Sequence, residues 1–186
     1  MDKTDIMCDL ETLGTTADSV LLSAGFVIAR NNEIVATHEV FFDLRDQFVG
    51  GSYVRRVDPS TLLWWFDQED TARQAQINVD RIPFRDAIYN IGAWMHANGV
   101  NDKTLFWGNG SDFDVAMMCH AFKQVGVPTP WQFWNHRCFR TVKAMYKNIK
   151  PKKVNDHTAL NDAVNQMDRL FAIRAHIAEA KDSCNV

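Results

Sequence analysis

The first third of the chain carries three runs of residues with the patterns of β-strands. Residues 5–10 are a short mixed run, residues 20–29 are largely apolar, and residues 34–43 alternate loosely with β-branched and aromatic side chains. Asn31-Asn32 separates the last two runs and is a turn signal. We therefore expect a strand meander at the start of the domain.

Helical periodicity replaces this pattern in the rest of the chain. Asp58-Pro59 begins one helical pattern, because proline fits the first turn of a helix, and a second pattern covers residues 83–99. Strand-like residues 104–107 follow, and then come further helical patterns at residues 112–125, 139–146 and 160–177. Strands first, then helices alternating with one or two more strands, predict one α/β domain over residues 1–186, with a mixed sheet packed between helices.

The composition excludes several classes of protein. The 186 residues are 46% hydrophobic, hold no apolar run near the roughly 18 residues of a membrane-spanning helix, and begin without an apolar secretory segment. The four cysteines are scattered, with no spacing typical of a zinc site. We therefore expect a folded, soluble, cytoplasmic protein with no membrane partner and no structural zinc.

Four carboxylates stand at the ends of the predicted elements. Asp9 and Glu11 lie two residues apart at the end of the first strand, so their side chains project from the same face. Asp114 begins a helix after the fourth strand, and Asp162 lies early in the last helix, five residues after His157. Two carboxylates on one face of a strand repel each other unless protons or a cation lie between them.

Each of these residues also has a purely structural interpretation. Ser111 and Asp114 have the spacing of a capping box, and Asp162 lies on the polar side of its helix, as any solvated residue would. Asp156 has the residue type of an N-cap, which would leave His157 as an ordinary first-turn residue. The sequence leaves these alternatives open for each residue taken singly.

Taken together, the residues favour a metal-dependent phosphodiester reaction. Carboxylate oxygens are ligands that Mg²⁺ and Mn²⁺ prefer, and two ions about 4 Å apart can stabilise both the attacking and the leaving oxygen. A nearby histidine has a pKa close to neutral and can take a proton from the attacking water. Because residues five apart on a helix point about 140° away from each other, His157 must reach the site from the first turn or the loop before it.

Three motifs resemble those of the DEDDh 3′-to-5′ exonucleases. Residues 9–14 (Asp-Leu-Glu-Thr-Leu-Gly) resemble the first motif, residues 109–114 (Asn-Gly-Ser-Asp-Phe-Asp) resemble the second, and residues 157–162 match the H-x-x-x-x-D third motif. The chain is most similar to a compact group that includes a phage exodeoxyribonuclease of the A type and an actinobacterial exoribonuclease. Trp64-Trp65 and the Trp-Gly-Asn-Gly run at 107–110 carry that finer resemblance, which is compatible with a phage source.

The resemblance implies a ribonuclease H-like fold, a mixed five-stranded sheet with helices on both faces. It implies that four carboxylates hold two Mg²⁺ or Mn²⁺ ions, namely Asp9, Glu11, Asp114 and Asp162. It also implies that His157 is the general base. The implied reaction releases nucleoside 5′-monophosphates from the 3′ end of single-stranded DNA or RNA.

The same resemblance implies a pocket for the terminal nucleotide. Thr12, Leu13 and Gly14 would line it, and Asn109 would be a further substrate-binding residue. The family also admits a homodimer. Nothing in these residues decides between DNA and RNA, and only family analogy favours single-stranded DNA or short oligonucleotides.

The net charge of -3 hides an uneven distribution. Between Val115 and Asn155 the sequence has no Asp or Glu. The same stretch carries eight positive residues: Lys123, Arg137, Arg140, Lys143, Lys147, Lys150, Lys152 and Lys153. Because the stretch leads into His157, it can bring phosphate contacts next to the site, although a solubilising helix face is the alternative.

Two groups of aromatic residues have a similar ambiguity. Trp131, Phe133 and Trp134 fall in a loop-like region, where they are candidates for stacking on bases. The second group consists of Trp64, Trp65 and Phe66 at helical spacing. We expect at least two of these three residues in the core.

The main alternative function is a single-strand nucleic-acid-binding module without catalysis. Such a module gives no reason for four carboxylates and a histidine in motif order. A phosphatase with an aspartate nucleophile would have Asp where this chain has Glu11, together with a downstream lysine motif. A P-loop nucleotidase is excluded because its glycine-rich motif is missing from the sequence.

Overall fold

One mixed sheet organises the chain. The computed structural model describes residues 4–77, 79–150 and 158–184, and within them five strands pair in the order β3-β2-β1-β4-β5. The strands are β1 Thr4–Thr12, β2 Leu21–Arg30, β3 Glu33–Phe41, β4 Leu105–Gly108 and β5 His136–Cys138. The helices are α1 Pro59–Asp67, α2 Asp70–Gln74, α3 Phe84–Ala97, α4 Ala116–Val125, α5 Phe139–Met145 and α6 Ala159–Cys184.

The predicted meander is formed by β1, β2 and β3, which pair antiparallel. Asn31 and Asn32 both have positive φ angles, 52° and 63°, as the tight turn between two twisted strands requires. β1 also pairs in parallel with β4, and β4 pairs in parallel with β5, so β1 is the central strand. The sequence pattern did not separate β5 or the short α2 as elements of their own.

Helices cover both faces of the sheet, as predicted. Side chains on one face of β1 and β2 form a buried core with α3 and α4, which includes Phe26, Ile88 and Phe122. Side chains on the other face pack against α5 and α6 through a second cluster, which includes Val27 and Met167. None of the helices in the described part of the chain has the length and apolar composition needed to cross a membrane.

The first turn of α6 lies directly on β2. A Cβ atom on Gly25 would lie 2.3 Å from the backbone of Ala159 and Leu160, so only glycine permits this approach. Gly25 pairs with Asp9 on one side and with Glu39 on the other. The Glu39 carboxylate accepts a hydrogen bond from the Leu160 backbone N–H at 3.2 Å, which satisfies a free donor at the start of α6.

A buried ion pair fixes α6 farther along its length. The two terminal nitrogens of Arg174 each donate to a different oxygen of Asp5 at 2.8 Å, and Trp107 Nε1 donates to the same carboxylate at 2.8 Å. Asp5 is 2% exposed, so its charge is removed from water and depends on these donors. The long helix is therefore held against β2 and β3 at its start and against β1 farther along.

We predict that Arg174→Met lowers the free energy of unfolding by about 3 kcal/mol, because it leaves the Asp5 carboxylate buried without its cation. Denaturant unfolding of Arg174→Met, of Asp5→Asn and of the double variant measures this. The double variant should lose less free energy of unfolding than the sum of the two single losses. An Arg174→Met protein as stable as the wild type would contradict the assignment.

Candidate active site

Asp9 and Glu11 project from the face of β1 that α6 covers. They alternate with Leu10, which points into the core on the opposite face. The neighbouring strands β2 and β4 hold β1 on both sides, so the spacing of the two carboxylates is set by the sheet. The structure therefore places both residues as the strand pattern predicts.

Asp114 reaches the same region from the end of β4. A Cβ on Gly108 would lie 2.8 Å from the Cβ of Asp114, so the small residue allows the chain to turn back here. Residues Ser111–Val115 form one wide π-type turn before α4, and its N-cap residue is Gly110 rather than Ser111. The capping-box interpretation of Ser111 and Asp114 is thus wrong for this structure.

Asp114 is 1% exposed, and its Oδ2 atom has no hydrogen-bond partner within the described residues. Burial raises the pKa of Asp114 above its ordinary value, although backbone N–H groups of Asn109, Asp114 and Leu10 lower it. A buried carboxylate oxygen without a partner is costly unless another group completes its coordination. This atom is a candidate cation ligand on that ground.

Asp162 lies in the first turn of α6, where Gly25 lets the helix approach the sheet. One carboxylate oxygen each of Asp9, Glu11 and Asp162 can be chosen so that all three lie within 4.8 Å of one another. The structure thus brings Asp162 to the two carboxylates of β1, rather than leaving it on a solvated helix face.

The carboxylates disturb one another electrostatically. Burial, followed by the charges of Asp114 and Glu11, raises the pKa of Asp9 well above its ordinary value. Burial and the charges of Asp162 and Asp114 raise the pKa of Glu11 to about 8. Without a cation these groups would therefore hold protons near neutral pH, and a divalent cation would compete for the same oxygens.

Gln166 is a site residue that sequence reasoning missed. Its side-chain nitrogen donates to Asp9 Oδ1 at 2.6 Å, one turn after Asp162, and its side-chain oxygen is buried without a hydrogen-bond partner in the described part of the chain. The sequence shows only that Gln166 shares the helix face of Asp162. The hydrogen bond fixes one oxygen of Asp9 and leaves the other free for a ligand.

The predicted general base, His157, lies outside the described residues. The described part of α6 begins at Ala159, so His157 precedes the helix by two residues in the chain. Its role therefore stays a prediction from the resemblance.

A pocket of about 430 Å³ lies beside the carboxylates. Its lining comes from the end of β1, from α1 and from the turn before α4: Leu10, Glu11, Thr12, Gly14, Thr15, Ser60, Thr61, Trp64, Trp65 and Phe113. Glu11 is thus shared between the pocket and the carboxylate cluster. The lining includes apolar and aromatic side chains such as Leu10 and Trp64, and polar side chains such as Thr12 and Ser60.

The predicted substrate-binding residues occupy different places around this pocket. Thr12 and Gly14 line it, and the Thr12 hydroxyl donates to the carbonyl of Gly14 at 2.7 Å. The Leu13 side chain packs in a small apolar cluster with Val20, so its contact with a ligand stays a prediction. Asn109 lies in the turn before Asp114, and its side-chain oxygen is buried without a partner among the described residues.

The structure corrects the expectation for the aromatic residues of α1. Trp65 alone of the three is buried, and its indole N–H donates to the Thr12 carbonyl at 2.8 Å. Trp64 and Phe66 are exposed. Neighbouring residues of a helix point about 100° apart, so the turn that buries Trp65 directs the other two towards solvent.

The expectation that Trp131 stacks on bases is wrong. Trp131 is 1% exposed and stacks on Phe106, with the ring centroids 3.8 Å apart, and its N–H donates to His136 Nε2 at 3.0 Å. Phe133 and Trp134 are exposed and remain available for contacts. Only these two of the three residues can still serve as a stacking surface.

The Rv2179c-like 3′-5′ exoribonuclease domain is the family whose model matches residues 4–173. The chain belongs to this family. A comparison of the sequence with curated proteins gave no match. The match spans the three exonuclease motifs, and the predicted relationship to the DEDDh exonucleases is confirmed.

Solved structures of exonuclease I share the fold of this family member. Escherichia coli exonuclease I in complex with a dA16 oligonucleotide has a TM-score of 0.62 and 13% sequence identity, covering 93% of this chain and 41% of that chain. The zinc-bound E. coli exonuclease I complex with single-stranded DNA has a TM-score of 0.56 and 15% identity, covering 92% and 39%. This chain therefore spans about two fifths of those proteins. The likeness confirms the predicted α/β fold.

We predict that Mn²⁺ or Mg²⁺ raises the melting temperature of the wild-type protein. An ion present at about 100 times its dissociation constant adds about 2.7 kcal/mol to the free energy of unfolding. Asp9→Asn should reduce or remove this shift, yet it should melt higher than the wild type without metal, because the folded protein opposes the ionisation of Asp9 that the unfolded chain allows, and asparagine removes this cost.

Asp112→Asn is the matched control, since Asp112 is an exposed acid two residues before Asp114. Thermal denaturation with and without metal should give this variant the same rise in melting temperature as the wild type. An equal shift in Asp9→Asn and in the wild type would contradict the ligand assignment.

Proposed function

We propose that this domain hydrolyses the last phosphodiester bond at the 3′ end of single-stranded nucleic acid and releases a nucleoside 5′-monophosphate. The observation that carries the proposal is the convergence of Asp9, Glu11 and Asp162 near Asp114, whose buried Oδ2 atom has no partner among the residues that the structure describes. Holding several carboxylates close together lowers the stability of the folded domain. A reaction that needs metal ions at this point explains why the carboxylates lie together.

The donor set fits Mg²⁺ or Mn²⁺, because all four side chains offer carboxylate oxygens. We propose that Asp9, Glu11, Asp114 and Asp162 hold two such ions. When bound, the ions would supply charge stabilisation for the attacking and leaving oxygens of the displacement. Gln166 would orient Asp9 through its 2.6 Å hydrogen bond.

His157 is proposed as the general base that takes the proton of the attacking water. The support is its position in the H-x-x-x-x-D motif, which leads into Asp162. A neutral imidazole can accept this proton at physiological pH, whereas carboxylates engaged with cations are poor bases.

The pocket would hold the 3′-terminal nucleotide. Glu11 stands where the pocket meets the carboxylate cluster, so a nucleotide seated there places its 5′ phosphate at the cluster. Trp64 and Phe113 offer aromatic surfaces for the base, and Thr12 and Ser60 offer polar groups. A pocket of about 430 Å³ has room for one nucleotide, as the release of mononucleotides requires.

The relatives support this substrate class at different levels. The family description names an exoribonuclease, and the structures of exonuclease I include complexes with single-stranded DNA. The proposal therefore covers single strands of either sugar. A homodimer and a cytoplasmic location also stay proposals, and the free thiols of Cys8, Cys119 and Cys138 fit a reducing compartment.

The decisive experiment digests matched DNA and RNA strands, labelled at either end, with Mg²⁺ or Mn²⁺. We expect the 3′ label to leave as a mononucleotide in the first turnover and the 5′-labelled strand to shorten stepwise. Excess chelator should stop both. Activity that survives chelation would contradict the metal-dependent account, and metal-dependent strand binding without any mononucleotide would favour the non-catalytic binding module.

His157→Ala should lower the rate about 10²–10⁴-fold if His157 is the general base. Asp162→Ala should abolish turnover, and circular dichroism should show that each variant remains folded. A His157→Ala protein that loses only affinity for the strand would move this residue to a binding role.

Gln166→Met tests the positioning of Asp9. The variant keeps the side-chain volume but loses the donor to Asp9, so we expect affinity for Mn²⁺ to fall about 10–100-fold. Excess Mn²⁺ should restore most of the rate, which a direct contact with the strand would not allow. A Gln166→Met variant with wild-type affinity for Mn²⁺ would remove Gln166 from the site.

A further inference from the structure

Positive side chains approach the carboxylate cluster from α5, which packs beside α6 on the same face of the sheet. Phe139 of α5 packs in the apolar cluster shared with α6. Leu10 and Phe113 of the pocket belong to the core formed with α3 and α4. The pocket borders the carboxylates at Glu11, near the end of β1, and α5 borders them on the face of the sheet that α6 covers.

Arg140, the second residue of α5, lies over the turn that leads into Asp114. A Cβ on Gly110 would lie 3.0 Å from Arg140 Nη2, so Gly110 leaves the space that the guanidinium occupies. Gly110 itself is buried, whereas Arg140 is exposed on its outer side. Asp112 Oδ1 lies 3.1 Å from the same Cβ position and is the acidic neighbour of this cation.

Lys143 follows one turn later on α5 and is half-buried. Burial and the nearby cations Arg169 and Arg140 lower the pKa of Lys143, while Asp9 and Asp114 raise it. Arg169 donates to the carbonyls of Lys143 at 3.4 Å and Tyr146 at 3.5 Å, which brings its charge against the end of α5. Arg140 and Lys143 thus lie close enough to the carboxylates to interact with them electrostatically, and Arg169 lies beside Lys143.

These positive side chains favour the binding of an anion. They repel one another, and the carboxylates offset this repulsion only while they are negatively charged. If metal ions neutralise the carboxylates, the positive charge of α5 is left without a counter-charge. A phosphate of the substrate has the charge and the hydrogen-bond acceptors to balance it, and arginine matches phosphate oxygens in geometry.

We propose that Arg140 and Lys143 bind the phosphate that lies one nucleotide to the 5′ side of the scissile bond, and that Arg169 supports them. The inference rests on the proposed function. With the 3′-terminal nucleotide in the pocket and the scissile phosphate at the carboxylates, the strand continues towards α5. The domain then selects substrates that carry a phosphate at this upstream position.

Dinucleotides isolate this contact. The pair pNpN carries the upstream phosphate as its 5′ end group, and NpN lacks it, while both present the same scissile bond. We expect kcat/KM of the wild type to be about 10–100-fold higher on pNpN than on NpN, the range of one charge-assisted contact. Arg140→Gln should bring this ratio close to one.

Arg85→Gln is the matched control, because Arg85 is an exposed arginine on α3. It should keep the wild-type ratio. A trinucleotide with a neutral methylphosphonate at the upstream linkage should behave as NpN does with the wild-type enzyme.

Two results would overturn the proposal. One is a wild type that does not discriminate between pNpN and NpN. The other is an Arg140→Gln variant that lowers both rates equally, as the loss of a contact with the scissile phosphate would. If the wild type cleaves no strand, the proposed function fails separately, and calorimetry with Ca²⁺ decides: the wild type must bind pNpN more tightly than NpN, and Arg140→Gln must not.

Discussion

Mutual repulsion among carboxylates at one edge of the sheet is the constraint on which the rest of the structure depends. Asp9 and Glu11 come from the central strand, Asp114 from the turn after β4, and Asp162 from the first turn of α6. Each segment is held by contacts outside the cluster. Gly25 and Glu39 fix the start of α6, Gly108 admits Asp114, and the sheet spaces the two residues of β1. The fold thus keeps in place charges that would otherwise move apart.

Two different regions border the carboxylate cluster. An aromatic and polar pocket lies where α1 meets the end of β1, and the positive side chains of α5 lie on the face of the sheet that α6 covers. In the function that we propose, the pocket would hold the terminal nucleotide, the carboxylates the scissile phosphate and α5 a further phosphate. The low net charge of the chain therefore conceals a positive region on α5 and an acidic cluster beside it.

Local patterns were enough to predict the meander, the helices other than the short α2, and where the motif carboxylates lie on these elements. Strand alternation places Asp9 and Glu11 on one face, and Asn31-Asn32 marks its own turn, because both effects act over a few residues. The partners of these residues depend on distant segments. Gln166 meets Asp9, and Glu39 caps α6, only because Gly25 lets the helix lie on β2. Helical spacing likewise groups Trp64 with Trp65 but does not tell which side of α1 faces the core, and a loop-like sequence hid the stacking of Trp131 on Phe106.

The number of Mn²⁺ ions bound per chain tests the central claim most directly. Equilibrium dialysis, with free Mn²⁺ measured by electron paramagnetic resonance, counts them without reference to any substrate. We predict two ions per wild-type chain and fewer for Asp9→Asn, with Asp112→Asn equal to the wild type. A wild-type chain that binds no Mn²⁺, or an Asp9→Asn chain that binds as many ions with the same affinity, would contradict the account.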